Sequence, residues 1–214
     1  MAKVKTQPQT KKKKKLWVQI NGPKLFGESK IGETHVYSSS DAKGKTVNQN
    51  LMNLTGDVRK QNITVKLMID DIKENIANTK IISYRMAPSF IKRFVRRRRD
   101  KIEFSEVFKT KDNVHMRIKP LVITTSCTRG STNTAIRKKL KALILTRVSK
   151  MTADQVVEEI VSYKLQLYLK NNLKKIHPLR NCEIRAFEVG KKTKAASEKK
   201  DDEKVEQKPE SKDE

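Results

Sequence analysis

Acids, aromatics, glycine, cysteine and long apolar runs are all in short supply in this chain, and each shortage removes a class of function. Cys127 and Cys182 stand alone without CxxC spacing, so a disulfide framework and a thiolate metal site both lack their residues. Both thiols are expected to be reduced and structural. His35, His115 and His177 are scattered without ligand spacing, so no metal and no cofactor is assigned. No apolar stretch approaches the roughly 18 residues of a membrane span, and the lysine-rich start lacks the apolar run of a signal peptide. A cytoplasmic chain with no membrane partner is the expectation. Walker loops, nucleophile elbows and HExxH patterns are absent. Asp70, Asp71 and Glu74 could hold Mg²⁺ in a nuclease, but they follow a strand at an expected turn, where acids occur regardless. Asp154, Glu158 and Glu159 have the placement of acids early in a helix, favourable to its dipole. The reading is therefore not an enzyme.

What the chain has is positive charge: 49 Lys and Arg against 24 Asp and Glu, for a net +25. Residues 1–15 hold seven Lys and no acid, while 190–214 balance eight Lys with eight acids, so 16–189 alone carry about +18. Self-repulsion of that size disfavours a compact chain in isolation and calls for a standing counter-charge, which phosphate supplies. Both termini are expected to be disordered, one as a basic arm and the other as a mixed-charge tail. The remaining length suits a single domain over 16–189.

Strands dominate the first half and helices the second. Trp17, Val18 and Ile20 open one short apolar stretch, and His35, Val36 and Tyr37 form another. Asn62 to Ile69 alternates clearly, with Ile63, Val65, Leu67 and Ile69 on one face and Thr64, Lys66 and Met68 on the other. After a turn over 70–78, residues 80–84 return as an antiparallel partner, and 102–108, 114–125 and 182–189 supply further strands. Pro88 suits the first position of a helix that places Phe90, Ile91, Phe94 and Val95 on one side. A second helix, capped from within Ser131 to Asn133, turns Ile136, Leu140, Leu143, Ile144 and Val148 inward. Thr152 and Gln155 have capping-box spacing ahead of Val156, Val157, Ile160 and Val161, and 163–176 continue helically towards Pro178.

The candidate RNA-binding residues follow from this frame. Arg85, Lys92, Arg93, Arg96, Arg97, Arg98, Arg99 and Lys101 crowd eight cations around the Pro88 helix, with Asp100 the one acid. Such density costs a few tenths of a kcal/mol per like-charged helical pair. Arginine's planar fork grips phosphate oxygens and stacks on bases, which a merely solvated face would not require. Arg137, Lys138, Lys139, Lys141 and Arg147 form the outer face of the second helix, a weaker signal because lysine-rich exteriors are common. Lys11, Lys12, Lys13, Lys14 and Lys15 offer an arm for sequence-independent phosphate contact. Phe90, Phe94, Phe104 and Phe108 fall on apolar faces and are expected in the core. With no RNP-like aromatic strand pair and no GXXG clamp, recognition is expected to rest on RNA shape and backbone more than on splayed bases. A free-standing nucleic-acid-binding protein is the alternative that the charge leaves open.

Trp17, Ile20, Pro23, Phe26, Ile31, Gly32 and Thr34 spell W-x-x-I-x-x-P-x-x-F-x-x-x-x-I-G-x-T. This resembles the opening of the archaeal and eukaryotic small-subunit ribosomal protein S-three-Ae (eS-one) family. Tyr84 to Met86 ahead of the basic helix, the I-R-K-K of 136–139 and the I-x-P-L of 176–179 look like the same family's landmarks in the same order. The resemblance covers about 17–189. It implies an α+β fold with an antiparallel β-barrel-like core and flanking helices, and no enzymatic activity. It also implies a seat on the small-subunit platform near the 3′ end of the ribosomal RNA and the messenger exit. The partners implied are small-subunit ribosomal RNA and neighbouring platform proteins, with messenger RNA near the exit as a further candidate. Between Ile123 and Ile136 the chain is short and Arg129 is its sole cation, where the eukaryotic form carries a longer basic stretch. Arg129 is kept as a candidate, but contacts that relatives make there do not transfer.

Overall fold

The structure is a computed structural model that describes residues 14–190. The expected arm (Lys14 and Lys15 apart) and the expected tail beyond Gly190 lie outside the described residues. β1 (Leu16–Asn21) pairs antiparallel with β2 (Lys30–Val36), setting Trp17 opposite His35. β3 (Thr46–Asn50) runs into α1 (Leu51–Thr55), where the Asn50 side chain accepts from the Met52 N–H at 3.0 Å and caps the helix. β4 (Ile63–Lys73) and β5 (Ile76–Met86) form a long hairpin. The strands run further than the expected turn over 70–78: Asp70 and Asp71 lie within β4, and the chain reverses only at Glu74 and Asn75. Both have positive φ, 46° and 64°, as a two-residue hairpin turn requires.

α2 (Pro88–Phe94) leads by a turn to β6 (Lys101–Glu103), β7 (Glu106–Lys109) and β8 (His115–Thr124). Three helices follow, α3 (Gly130–Val148), α4 (Ala153–Val161) and α5 (Lys164–Leu173), and then β9 (Leu179–Val189). The Thr152–Gln155 capping box forms as expected. α3 instead begins at Gly130 without a side-chain cap, because Asn133 is engaged elsewhere. The helical stretch after Thr152 is also broken: Tyr163 adopts φ 69° and divides α4 from α5.

Among the described residues the fold is α+β, with five α-helices and one nine-stranded sheet. β4 covers one edge of β5 throughout, while β1 and β9 share its other edge at opposite ends; β8 follows β9, and β6 and β7 share the far edge of β8. Two expectations are corrected here. Among the described residues no pairing returns to close a barrel, since β2, β3 and the β6 and β7 pair are all edges. Nor is the sheet purely antiparallel, because β1 lies parallel to β5.

Alternation along β8 and β9 assigns the layers. Ile118, Val122, Ile184 and Phe187 face α3, α4 and α5, which bury Ile136, Leu140, Ile144, Val157, Ile160 and Leu169 against them. Each such side chain contributes about 1.5–3 kcal/mol. Leu121 and Ile123 face the other way and, with Met86, receive Ile91, Phe90 and Phe94 of α2. Phe108 is fully in the core, whereas Phe90, Phe94 and Phe104 are partly buried against it. A smaller cluster of Val18, Ile20, Val36, Ile69 and Ala77 holds the β1–β2 end.

One acid is enclosed in this body. Glu183 of β9 is buried, and its Oε2 has no partner. Desolvation lifts its pKa above the usual carboxylate value, against the opposing effects of a hydrogen bond with Tyr163 and the charge of Lys170. The folded state therefore holds this proton more tightly than the unfolded chain does. Stability falls as pH rises from the ordinary glutamate range through that lifted value. Urea unfolding across that range should show the decline in the parent chain, and Glu183→Gln, which has no proton to lose, should flatten it.

Candidate nucleic-acid interface

The basic stretch is built around a helix that stops early. Pro88 opens α2 with its φ already set, and the last helical bond runs from the Val95 N–H to the Ile91 carbonyl at 3.3 Å. Beyond Phe94 the chain leaves the helix, and Arg98 takes a left-handed φ of 60°. The sequence pattern places Arg96, Arg97 and Arg99 on the helix; the structure places them, with Arg98, in the turn that carries the chain across to β6. Continuing the helix would have stacked these charges one turn apart and missed the sheet. The arginines are splayed around a bend instead of ranged along one face.

Asp100 fixes that bend. Its Oδ2 accepts from the Thr128 N–H at 2.8 Å, the Thr128 hydroxyl at 2.6 Å and the Asn133 Nδ2 at 3.2 Å. Its own N–H donates to the Thr124 hydroxyl at 2.9 Å. These bonds, led by those from Thr128 and helped by the charge of His177, hold the Asp100 carboxyl below its usual pKa. They also bring the start of α3, with the exposed Arg129, beside the arginine turn.

Around this anchor the cations have few protein partners. Lys92, Arg96, Arg97 and Arg98 are exposed, and no ion pair among the described residues uses them or Arg99. Arg93 donates to the Asn62 side chain at 3.3 Å and lies 5.1 Å from the Phe90 ring centre. Arg99 is part-buried, and its Nη1 is sealed from solvent with no hydrogen-bond partner. Lost hydration, then repulsion from Arg180 and Arg96, depresses its pKa. Arg180, on β9, was not singled out by the sequence; its place beside Arg99 depends on strand order, which no local pattern reveals.

On the neighbouring sheet face, Asn48, Thr64, Lys66, Ser83 and Arg85 line a polar groove of about 410 Å³ that runs to Ala87 and Pro88 at the mouth of α2. Lys66 was not among the sequence candidates, although it lies on the polar side of the Asn62 to Ile69 alternation. Arg85 is largely exposed and lies 3.7 Å from Glu188.

The remaining candidates divide. Arg137, Lys138 and Lys139 are exposed along α3, on the opposite side of the sheet from α2. Lys141 is bonded to Glu106 at 2.6 Å. Arg147 is held by both carboxylate oxygens of Glu159 and lies 5.2 Å from the Tyr168 ring centre, so it braces α3 against α4 and α5. That hydrogen bonding with Glu159 raises its pKa. Lys101 is paired with Glu103 at 2.9 Å. Lys14 and Lys15 are exposed, and Lys11, Lys12 and Lys13 fall outside the described residues. Of the thiols, Cys182 is buried and its pKa is pushed up to about 12 by burial, but Cys127 is exposed, so the structural reading suits only Cys182. The acidic candidates do not gather: Asp71 pairs with Lys43 at 3.3 Å, and among the described residues no group of His, Cys, Asp or Glu is arranged to hold a metal ion. None of the described helices is long and apolar enough to cross a membrane.

Comparison with known proteins finds relatives over most of the chain. The model of the Ribosomal S3Ae family matches residues 3–193. A small ribosomal subunit protein eS1 from Sulfurisphaera tokodaii is 32% identical over 180 residues, 84% of this chain and 93% of the relative. Those from Methanobrevibacter smithii and Methanothrix thermoacetophila are each 30% identical, covering 86% and 83% of this chain and 96% and 84% of their own.

The depressed Asp100 pKa carries a sign. Its contribution to stability is present above the ordinary carboxylate value and is lost as pH falls through the lowered one. Asp100→Ala should therefore melt below the parent chain at neutral pH, with the gap closing in strongly acidic buffer. A gap that is constant across pH would mean the anchoring bonds do not depend on the charge.

Proposed function

The chain belongs to the ribosomal S3Ae family, and from that premise we propose that it is seated on ribosomal RNA through the arginine turn between α2 and β6. It is a structural, non-enzymatic constituent of the small ribosomal subunit, and so cytoplasmic. The observation that carries the RNA contact is the Arg96, Arg99 and Arg180 cluster. Three like charges converge at one end of the sheet, and one guanidinium nitrogen is sealed in without a partner. Protein alone gains nothing from such a cluster, since a sealed donor gives up its water and receives no acceptor in return. A phosphate between the guanidiniums would satisfy the donor and cancel the repulsion at once.

The contact extends from the turn to Arg129 on one side and along the Lys66 and Arg85 groove on the other, with Arg137, Lys138 and Lys139 reaching RNA from the opposite face. Residues 16–189 act in this as one domain. The 1–15 arm adds sequence-independent phosphate contacts, and no role is assigned to the tail after Gly190. Platform placement near the 3′ end of the RNA and the messenger exit follows from the family resemblance, as do platform proteins and messenger RNA as neighbours, and supports a part in translation. Lys101, Lys141 and Arg147, which have acidic partners within the fold, contribute least.

Replacing Arg96, Arg97 and Arg99 together by Gln should weaken RNA binding and flatten the log-affinity against log-salt slope by up to about 0.7 to 0.9 for each phosphate no longer neutralised. Filter binding across a salt series measures this, and an unchanged slope would place the three arginines in bulk solvent. The parent chain should also co-sediment with small subunits through moderate salt. Recovery only as unattached protein would favour the free-standing nucleic-acid binder.

A further inference from the structure

At the other end of the sheet, register assembles a surface that is aromatic instead of cationic. Trp17 of β1 and His35 of β2 are direct cross-strand partners, with ring centres 3.4 Å apart and planes inclined by 45°. Tyr37 lies two residues beyond His35, just past the end of β2, and the Lys15 ammonium stands 5.4 Å from its ring centre. Val18, Ile20 and Val36 occupy the other side and are buried, so the hairpin's apolar need is met from within. Trp17 nevertheless remains 58% exposed and Tyr37 56% exposed. A tryptophan face is among the largest apolar surfaces a residue offers, and folding has left this one open.

We propose that Trp17, His35 and Tyr37 form a stacking platform for unpaired bases of RNA, with Lys15 taking the adjoining phosphate. The occupant is chosen by the combination of groups. Exposed rings with an ammonium beside one of them match the alternation of base and phosphate along a single strand, and bases of any kind have a face to stack. An aliphatic protein surface would gain nothing from the Lys15 charge. Lys14 and Lys15, both exposed, lead into β1 at this point. The inference rests on the RNA-binding reading but, Lys15 apart, uses different residues, at a different end of the sheet and through a different force.

Trp17 is the chain's single tryptophan, so its fluorescence reports on the site directly. The full chain is titrated with a single-stranded oligoadenylate, a double-stranded RNA of equal length, and inorganic polyphosphate, which has charge but no bases. Quenching should be strong with the single strand and weak with the other two. Anisotropy of a labelled oligoadenylate should show Trp17→Ala binding about tenfold more weakly, the salt slope unchanged, with Trp17→Phe within a few-fold of the parent chain. His35→Ala, at an exposed position, should weaken binding in the same direction, and equal melting temperatures confirm that the variants are folded. Equal quenching by polyphosphate, or unaltered oligoadenylate affinity in Trp17→Ala, overturns the platform. If Trp17→Ala keeps its RNA affinity but is lost from small subunits, the surface meets a protein neighbour and the platform again fails. Each of those results leaves the arginine turn standing, whereas a parent chain that binds no RNA at all removes both readings.

Discussion

The Asp100 carboxylate is the tie on which the basic end of this protein depends. It is the one acid among the cations from Arg85 to Lys101, and it spends its charge on Thr128 and Asn133 instead of on an arginine. That choice has two effects. It closes the segment after β8 onto the entry to β6, which sets where α3 begins; and it leaves the surrounding arginines without an internal counter-charge. An ion pair between Asp100 and Arg99 would have satisfied both groups and left less for the proposed RNA contact to hold. Charge-assisted bonds to neutral donors hold the bend while leaving the arginines' own donors unoccupied by the carboxylate.

The same economy runs through the rest of the surface. Several cations that join elements have an acid: Arg147 with Glu159 across α3 and α4, Lys141 with Glu106, Arg185 with Glu103. Where the cations stand in groups, at the arginine turn and along Arg137 to Lys139, acids are withheld. Exposed pairs are worth only about 0–1 kcal/mol, so the pairing pattern does little for stability. Its effect is to concentrate net charge at chosen places, beside a guanidinium donor of Arg99 that the fold itself leaves unsatisfied.

Much of this body was legible in the chain. Alternation marks β4, β8 and β9 because half-buried strands must repeat every two residues, and the Thr152 capping box reads directly because its partners are three residues apart. The misses share a cause, which is that the deciding contact is distant. β3 has a single apolar residue in Thr-Val-Asn-Gln-Asn and exists because β4 offers it an edge. α2 ends at Phe94 although Val95 fits its apolar face, because β6 must be reached across the sheet. Arg147 belongs to the outer face of α3 by period alone, and only the position of α4 turns it inward. Barrel closure would have needed β2 or β3 to meet the β6 and β7 edge, and β5, shared end to end by β1 and β9, spreads the sheet into branches instead.

The open rings of the β1–β2 hairpin were hidden in the sequence for the same reason, and they change how the molecule is understood. Trp17 and His35 are eighteen positions apart, and nothing near either residue announces the other; the β1–β2 register alone makes them neighbours. On a shape-and-backbone account one cationic surface suffices, because phosphate contacts position without reading. A sheet that offers charge at the α2 turn and open rings at the far hairpin is suited to two different states of RNA, a folded backbone at one end and an unpaired strand at the other. A short chain can hold both because β5 runs between them, bonded to β1 at Gln19 to Asn21 and leading directly from Met86 into α2. The rigidity of that single strand pair is what fixes the spacing of the two surfaces.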